Sequence, residues 1–385
     1  MKSALAQVIV VGTFPYPIHG AAFVNSLMHE LFQSRIKRTK RIDTSVHVLG
    51  SYYAAKRRTM KRMFYLFSRL LVFCRGYVVL VTSILREGRG RSLVYIGLSA
   101  GAALRFDLLY VKTSCLLGAV VVLHHHSFKY VETADRYMNL MTSLHGNLTH
   151  LFLCSKMAQV MNELYPNLKE QSWRVVGNSW ILPTSWSSSP EENQSKVTGG
   201  LTIGLLSNLS REKGFFRLID IFEDLVRVGF NVRLKVAGTA EHEVASAIED
   251  LIESHGSRVT FTGAIVGEQK RTWYRGIDVF VFPSTLTEAY PLVMVESLAS
   301  GVPFFACARG CMPEVLMPTG WSFRNEEFES QATQKLSQLF VHPEELEKEQ
   351  IKARELYIQL RRRDSEVLDK LLDSILSPGV RDFNK

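Results

Sequence analysis

The segment FVFPSTLTEAYPLVMVESLASGVPFFA, residues 280–306, is the stretch of the sequence that is most informative about the fold. Its apolar start predicts a buried strand, which is followed by a loop and a helix that Gly301 and Pro303 close before the next strand. Two glutamates separated by seven residues, Glu288 and Glu296, lie before and inside the predicted helix. The N-terminus of this helix offers free backbone N–H groups and the positive end of the helix dipole, so it favours a diphosphate.

The same strand–loop–helix order recurs outward from this segment in both directions. The predicted strands are residues 8–11, 45–49, 92–97, 119–123 and 151–154 in the first half, and 201–205, 231–237, 259–262, 278–282 and 303–306 in the second. Between the two series, residues 183–200 are rich in Ser, Pro and Gly, which is typical of a linker. We therefore expect an α/β protein with two doubly wound, mostly parallel sheets, and ligands at the carboxyl ends of the strands.

Positive charge is concentrated between residues 35 and 91. This stretch contains fifteen Lys or Arg residues against Asp43 and Glu87, a local net charge of +13, whereas the whole chain has +9. Apolar residues alternate with the basic ones, a pattern that suits an anionic membrane surface. A solvated basic face over an ordinary core helix is the alternative. Nucleic acid would also accept this charge, but the sequence has no zinc-finger, helix-turn-helix or RNA-binding signature.

Residues 64–85 have nearly the length of a membrane span. Arg69 and Arg75 lie inside the stretch, and a charge at the bilayer centre costs about 2.5–3.5 kcal/mol on insertion scales. We therefore expect no transmembrane helix here.

The 288–303 stretch resembles the E-x7-E signature of glycosyltransferase family 4, a family of retaining enzymes with the GT-B fold. The usual form is near E-G-F-P-x-x-x-x-E-A-x-A-x-G-x-P, and here it is E-A-Y-P-L-V-M-V-E-S-L-A-S-G-V-P. The resemblance implies that Glu288 contacts the transferred sugar and that Glu296 binds the ribose hydroxyls of a nucleotide-sugar donor, UDP- or GDP-linked. The backbone expected to face the donor diphosphate belongs to Ala289, Tyr290, Leu292 and Val293.

A second segment, LTIGLLSNLSREKGFFRLID at residues 201–220, is similar to the family's strand and G-R-L-x-x-x-K-G loop. By this resemblance Lys213 neutralises donor phosphate charge, and Gly214 lets the backbone approach the donor closely. The chain departs from the pattern at Asn208, where the family has Arg, and Arg211 is out of register. This departure leaves the second phosphate contact in doubt, with Asn208 as the donor-binding candidate at that position.

The first half of the chain matches less densely. PYPIHGAAFVN, residues 15–25, resembles a family loop in which Gly20 supplies a backbone amide; a simple tight turn is the alternative. LHHHSFKY, residues 123–130, follows a predicted strand, so His124 and His126 are expected on one side of the strand. The resemblance implies that His126 hydrogen-bonds the donor sugar, with His124 in support. A metal site at these histidines is the competing interpretation.

One further landmark is GCMPEVL, residues 310–316, which resembles a family segment close to the donor loop. By that resemblance Glu314 supports the donor loop. The resemblance also implies GT-B architecture, two Rossmann-like domains facing a central cleft. The expected domains are an acceptor-binding domain at 1–182, the linker at 183–200, a nucleotide-sugar-binding domain at 201–345, and a helical segment at 346–385 that packs back on the first domain.

These features together predict a retaining hexosyltransferase that moves a sugar from a nucleotide sugar to a membrane- or lipid-linked glycan acceptor in polysaccharide or lipopolysaccharide biosynthesis. The sequence contains no Asp-x-Asp motif, so we expect no metal cofactor. The expected location is cytoplasmic, peripheral on the cytoplasmic face of the membrane. Two alternatives stay open: a non-catalytic, membrane-associated scaffold of the same fold, and a sugar-nucleotide 2-epimerase.

Overall fold

The computed structural model describes residues 5–15, 20–45, 59–144, 146–169, 172–186 and 200–376, with the side chains of 59–66 and 184 excepted. The described residues form two compact units. One contains the residues up to Gly177 and those from Ser365 onward, and the other is Asn178–Asp364.

The first unit is built on a parallel six-stranded sheet. Its strands are β1 (Gln7–Gly12), β2 (Thr39–Asp43), β3 (Ser92–Gly97), β4 (Val120–His124), β5 (Leu148–Phe152) and β6 (Trp173–Val175), in the order β2-β1-β3-β4-β5-β6. The helices are α1 (Gly20–Arg35), α2 (Thr59–Glu87), α3 (Leu104–Leu116), α4 (Lys129–Glu132), α5 (Arg136–Thr142) and α6 (Ser155–Leu164). Strands β1, β3 and β4 are buried along their whole length, as expected of central strands covered on both faces.

The second unit repeats this architecture. Its strands are β7 (Leu201–Leu206), β8 (Val232–Ala237), β9 (Val259–Phe261), β10 (Val279–Phe282), β11 (Phe304–Cys307) and β12 (Ser322–Phe323), in the order β12-β11-β10-β7-β8-β9. The helices are α7 (Phe215–Arg227), α8 (His242–His255), α9 (Glu268–Tyr274), α10 (Leu292–Ala299), α11 (Met312–Leu316) and α12 (Phe328–Val341). The strand order reverses between β7 and β10, so the loops that follow these two strands diverge from a common point, where α/β sheets bind ligands.

The fold class predicted from the sequence, two Rossmann-like α/β domains, is confirmed. The second strand of the first sheet, β2 at Thr39–Asp43, was not predicted; of the strand predicted at 45–49, residue 45 is not in a strand and 46–49 lie outside the described residues. β2 is an edge strand that pairs with β1 alone and exposes Lys40 and Arg41. β2 lacks the run of apolar residues from which the central strands were predicted.

The last helix, α13 (Pro343–Leu376), belongs to both units, since its residues up to Asp364 fall in the second and those from Ser365 in the first. In the first unit, Arg35 at the end of α1 forms ion pairs with Asp369 and Asp373. The sequence placed the corresponding boundaries at 182 and 345. Most of the predicted linker, residues 187–199, lies outside the described residues.

One stretch of α2 is apolar and long enough to cross a membrane by length and composition. It runs from Phe67 to Glu87 with a mean hydropathy of 1.6, and 22% of it is buried inside the protein.

Candidate functional site

The loops after β10 and β7 bring Glu288 and Lys213 together. One Glu288 carboxylate oxygen, Oε1, accepts a hydrogen bond from Lys213 Nζ at 2.6 Å and another from Ser284 Oγ at 3.0 Å. The two charged side chains are 17% and 25% exposed, so the pair is sheltered but open to solvent on one side. Two residues 75 positions apart in sequence are therefore joined at the point where the sheet order reverses.

Two glycines make this close approach of loops possible. Gly214 has a φ of +82°, and a Cβ there would collide with the carbonyl oxygen of Pro283. Gly310 has a φ of +59°, and a Cβ there would collide with the carbonyl oxygen of Glu288. That same carbonyl accepts a hydrogen bond from the backbone N–H of Cys311 at 3.2 Å. Both positions combine a left-handed backbone with contact against the Glu288 loop, which only glycine satisfies.

Glu296 is held on α10 by two polar partners that the sequence did not indicate. Lys270 Nζ donates to its Oε1 at 2.7 Å, and the Tyr274 hydroxyl donates to its Oε2 at 3.0 Å. The Glu296 side chain is only 7% exposed. Burial and the neighbouring Glu296 charge raise the pKa of Tyr274 well above its usual value, so the phenol stays a donor. The carboxylate is thus fixed in one orientation.

The loop between the two glutamates is anchored from behind through Tyr290. Its carbonyl accepts from Asn178 Nδ2 at 3.1 Å, and its buried hydroxyl is 2.8 Å from Ser179 Oγ. Tyr290 therefore positions the loop with its side chain. Leu292 and Val293 open α10, where backbone N–H groups have no acceptor within the helix. Ala289 is half-buried in the same loop.

Arg217 on α7 links the loop after β10 to the start of α12. Its guanidinium donates to the Pro283 carbonyl at 3.3 Å, to the Asn325 carbonyl at 2.5 Å and to Glu329 Oε2 at 2.8 Å. The Arg217 side chain is 16% exposed. One cation therefore holds α7, which follows Lys213, against the loop that leads to Glu288.

Three other residues of this unit have different surroundings. Asn208 is exposed, and its Oδ1 accepts from Thr239 Oγ1 at 3.0 Å. Arg211 points away into an exposed ion pair with Glu243. Glu314 is half-buried on α11 and contributes negative charge near the Tyr290 phenol. The structure brings together Glu288 and Lys213, and not Asn208 with either.

In the first unit, the histidine run follows β4 with the alternation expected of extended backbone. The rings of His124 and His126 are 4.1 Å apart on one side. His125 points to the other side, where its Nε2 is 2.9 Å from His150 Nδ1. The Tyr95 hydroxyl is 2.6 Å from His124 Nδ1 and forms a hydrogen bond with that ring nitrogen.

Burial decides the charge state of these histidines. Desolvation lowers the pKa of His124 and His125 well below the usual value, and lowers that of His150 to about 4. They are therefore neutral at physiological pH. No group of three or more His, Cys, Asp or Glu side chains within the described ranges is arranged to hold a metal ion.

Gly20 is the exposed first residue of α1. One turn later on the same helix, Asn25 is buried against the ends of two strands, and its Nδ2 donates to the Thr13 carbonyl at 2.9 Å. A Cβ on Gly97, or on Gly12, would collide with the Asn25 amide. Glycine at these strand ends therefore admits the buried Asn25.

Residues 200–341 match the family described as "Glycosyl transferases group 1". The match covers the sheet that carries Lys213, Glu288 and Glu296. This part of the chain is a glycosyltransferase group 1 domain.

Curated relatives of the domain are glycosyltransferases. The chain is 22% identical over 220 residues to a lipopolysaccharide 1,2-N-acetylglucosaminetransferase of Salmonella typhimurium, covering 52% of this chain and 57% of that protein. It is 32% identical over 136 residues to a glycogen synthase of Vibrio cholerae, covering 31% of this chain and 27% of that protein. The chain thus spans about half or less of the length of these relatives.

Solved structures with the same fold extend the likeness beyond the group 1 domain. HepE of Anabaena, in complex with UDP-glucose, superposes with a TM-score of 0.65 at 14% identity, covering 94% of this chain and 99% of that one. Sucrose-phosphate synthase of Thermosynechococcus elongatus gives a TM-score of 0.65 at 14% identity, covering 96% and 100%. These likenesses show the fold, and these neighbours are GT-B glycosyltransferases.

Several residues of the group 1 domain could not be predicted from the sequence, because they reach the site through contacts that form only in the folded protein. Lys270 and Tyr274 reach Glu296 from a different helix, Ser284 supports Glu288, and Arg217 reaches the Pro283 carbonyl. Of these residues, Ser284 alone had a signal in the sequence, since it lies four positions before Glu288 in the 280–306 segment.

Proposed function

We propose that the protein is a retaining, metal-independent glycosyltransferase that moves a hexose from a nucleotide sugar to a glycan acceptor. The observation that carries this proposal is the Lys213–Glu288 pair, 2.6 Å apart, at the reversal point of the sheet in a glycosyltransferase group 1 domain. A cation and a carboxylate placed there match the two charges of the reaction: the leaving diphosphate is negative, and the sugar becomes positive in the transition state.

Lys213 would exchange Glu288 for the donor diphosphate when the donor binds. Its side chain is 25% exposed and its ammonium is already directed to this point, so little reorganisation would be needed. The free N–H groups of Leu292 and Val293, at the N-terminus of α10, would meet the same negative charge. Charge on the leaving group is then neutralised by the protein itself, which is why we propose no metal.

Glu288 would face the reacting sugar once Lys213 has turned to the phosphates. Ser284 keeps its carboxylate in place at 3.0 Å. Glu296 would accept hydrogen bonds from the ribose hydroxyls, since a carboxylate held by two donors has lone pairs left for more. His126, with His124 behind it, would hydrogen-bond the donor sugar, and Gly20 would supply a backbone amide.

The acceptor in this proposal is membrane- or lipid-linked, in cell-surface polysaccharide biosynthesis on the cytoplasmic face of the membrane. The supporting observation is the local net charge of +13 at residues 35–91. Two relatives have names that fit: the Salmonella typhimurium lipopolysaccharide enzyme, and an alpha-monoglucosyldiacylglycerol synthase of Streptococcus pneumoniae, 33% identical over 113 residues and covering 28% of this chain and 24% of that protein.

A thermal-shift panel of UDP, GDP, ADP and their common sugars, with and without EDTA, tests the donor site. We expect one nucleotide family to stabilise the protein, unaffected by EDTA, and the shift to vanish in Glu296→Ala. A shift that EDTA abolishes would contradict metal independence. No shift with any nucleotide would favour the non-catalytic scaffold.

Product analysis then separates the remaining possibilities. With the stabilising donor and a lipid-linked acceptor, NMR of the product should show the anomeric configuration of the donor retained. An inverted linkage would overturn the retaining mechanism, and conversion of the sugar nucleotide without any acceptor would favour the epimerase.

A further inference from the structure

The outward face of α2 is apolar. A stripe of large apolar side chains and one cysteine, spaced three, four or seven residues apart, runs along it, and we call it the outer stripe: Phe67, Leu71, Cys74, Val78 and Leu85. Its four large hydrophobic members are 57%, 54%, 59% and 61% exposed, respectively. Leu70, 49% exposed, widens the stripe by one position. Exposed apolar surface of this extent on one helix marks an interaction site.

The opposite face of α2 is packed against the first unit. Leu80, Ser83 and Ile84 are buried, and a Cβ on Gly76 would press on the Tyr110 hydroxyl at 2.5 Å. Gln7 Nε2 of β1 donates to the Ser83 carbonyl at 2.7 Å. The helix therefore lies along the unit, and its inner face has partners from both the sheet and α3.

Positive charge borders the outer stripe. Arg75 and Arg86 are exposed on one flank of α2. The one acidic residue in α2, Glu87, forms an ion pair with Arg38 at 2.9 Å, so it does not offset this charge.

The neighbouring helix extends the apolar and basic surface. On α3, which packs beside α2, Leu109 and Leu116 are 43% and 66% exposed on one face, and Arg105 and Lys112 are exposed next to them. The pattern is that of a helix that lies in a lipid interface, with its apolar side in the acyl boundary and cations at the headgroups.

We propose that α2 binds an anionic lipid bilayer as an interfacial helix, with the outer stripe inserted at the level of the headgroups. This proposal rests on the proposed function only in explaining how a lipid-linked acceptor would be reached. The hydrogen bond of the inner face distinguishes it from a membrane span, since a spanning α2 would have to leave the unit, deprive the buried Gln7 amide of the Ser83 carbonyl and carry the Ser83 side chain into hydrocarbon.

Flotation with vesicles of phosphatidylcholine, alone or mixed with phosphatidylglycerol, tests the proposal without donor or acceptor. We expect the full chain to float with the mixed vesicles and much less with the neutral ones. Serine at Leu71, Val78 and Leu85 together should lower the partition coefficient at least about tenfold, since each buried apolar side chain contributes to insertion. Arg75→Glu with Arg86→Glu should weaken binding to the anionic vesicles alone.

The matched control replaces three equally exposed apolar residues elsewhere, Leu140, Val228 and Val341, which are 53%, 66% and 57% exposed, with serine. The control should float like the wild type. Because the stripe residues are exposed, every variant should melt like the wild type and keep its thermal shift with nucleotide. If the stripe variant keeps the thermal shift with nucleotide but no longer floats, lipid binding by α2 is distinguished from donor binding.

A fluorescent probe attached to Cys74 measures how deeply α2 lies in the bilayer. A thiol-reactive fluorophore there, with Cys115 replaced by serine, should be quenched most by lipids brominated near the headgroup. Quenching greatest at the bilayer centre, with resistance to alkaline extraction, would overturn the interfacial mode in favour of a span. Lipid would be overturned as the partner if the stripe variant and its control floated equally, or if the wild type did not float. The same would follow if the wild type formed a dimer without lipid and the stripe variant were monomeric.

Discussion

The Lys213–Glu288 pair holds the two charges that the proposed reaction would use separately. In the donor-free protein each neutralises the other at 2.6 Å, so neither is left buried and unpaired. In the proposed site, a diphosphate carries more negative charge than one carboxylate and would compete for the Lys213 ammonium.

Replacing Lys213 with Met should lower kcat/KM by about 10²–10³, the usual effect of removing one group that stabilises charge in the transition state. The thermal stability should change little, because Ser284 still hydrogen-bonds Glu288. The measurement is initial-rate kinetics with the donor that the thermal-shift panel identifies.

Arg211→Met is the control, because Arg211 lies in the same loop and pairs with Glu243 at the surface. Its rate should stay near that of the wild type. A loss in Arg211→Met equal to that in Lys213→Met would mean that general positive charge of the loop, and no specific contact, governs the rate.

At the level of single residues, the sequence indicated the residues that belong to a motif. It missed those that are close to the motif residues only in the folded protein. Glu288, Glu296 and Lys213 stand in spaced patterns that a reader can find. Lys270 and Tyr274 stand in none, since nothing in QKRTWYRG shows that this helix passes beside Glu296.

At the level of elements, α7 is attached to the site loop through Arg217. Its guanidinium bridges the end of β10 and the start of α12, with hydrogen bonds to Pro283 and Glu329. A single planar cation with five donors suits such a junction. Arg217 therefore holds the helix that follows Lys213 against the end of β10.

Arg217→Met should lower the free energy of unfolding by about 2 kcal/mol, since hydrogen bonds to charged groups contribute about 1.5–3 kcal/mol when their partners are left unsatisfied. Denaturant titration measures it. Arg227→Met on the same helix removes an exposed ion pair with Asp224 and should cost less than about 0.5 kcal/mol. Equal losses would show that Arg217 acts only as a surface cation.

The edge strand β2 is one element that the sequence did not locate. Its residues alternate poorly and expose charge, because an edge strand buries little side-chain surface and its hydrogen bonds are made by the backbone. The central strands were located from their apolar runs.

At the level of the whole molecule, the buried histidines make stability depend on pH. The pKa values of His124, His125 and His150 in the folded protein lie below the unfolded value of 6.5, and that of His150 is about 4. Below pH 6.5 the unfolded chain binds protons that the folded chain does not. Stability is therefore fully present above pH 6.5 and falls as the pH drops toward 4.

We expect the melting temperature to fall as the pH is lowered from about 6.5 to about 5, where few carboxylates titrate. Each such histidine adds up to about 1.4 kcal/mol per pH unit to the slope of the free energy of unfolding against pH. His150→Gln keeps a partner for His125 but removes one titrating group, so its slope should be shallower. An unchanged slope would show that His150 is not the group responsible.

Asp107 works in the opposite direction. Burial raises the pKa of Asp107 to about 6, whereas its value in the unfolded chain is 3.8. Between these pH values the folded protein binds a proton that the unfolded chain has lost. The contribution of Asp107 to stability is therefore present at low pH and is lost as the pH rises through 6. Asp107→Asn should therefore steepen the fall in stability on acidification.

The sequence by itself determined the fold class and indicated the charged residues of the proposed donor site. Two series of buried strands with helices between them allow only doubly wound sheets, and the motif glutamates and lysine are local patterns along the chain. Only the tertiary structure decided which side chains meet: Lys213 with Glu288, Lys270 with Glu296, Arg217 with the Pro283 carbonyl, and α2 with one face packed and the other open. The physical reason is that strand order, and not sequence distance, brings the ends of β7 and β10 together.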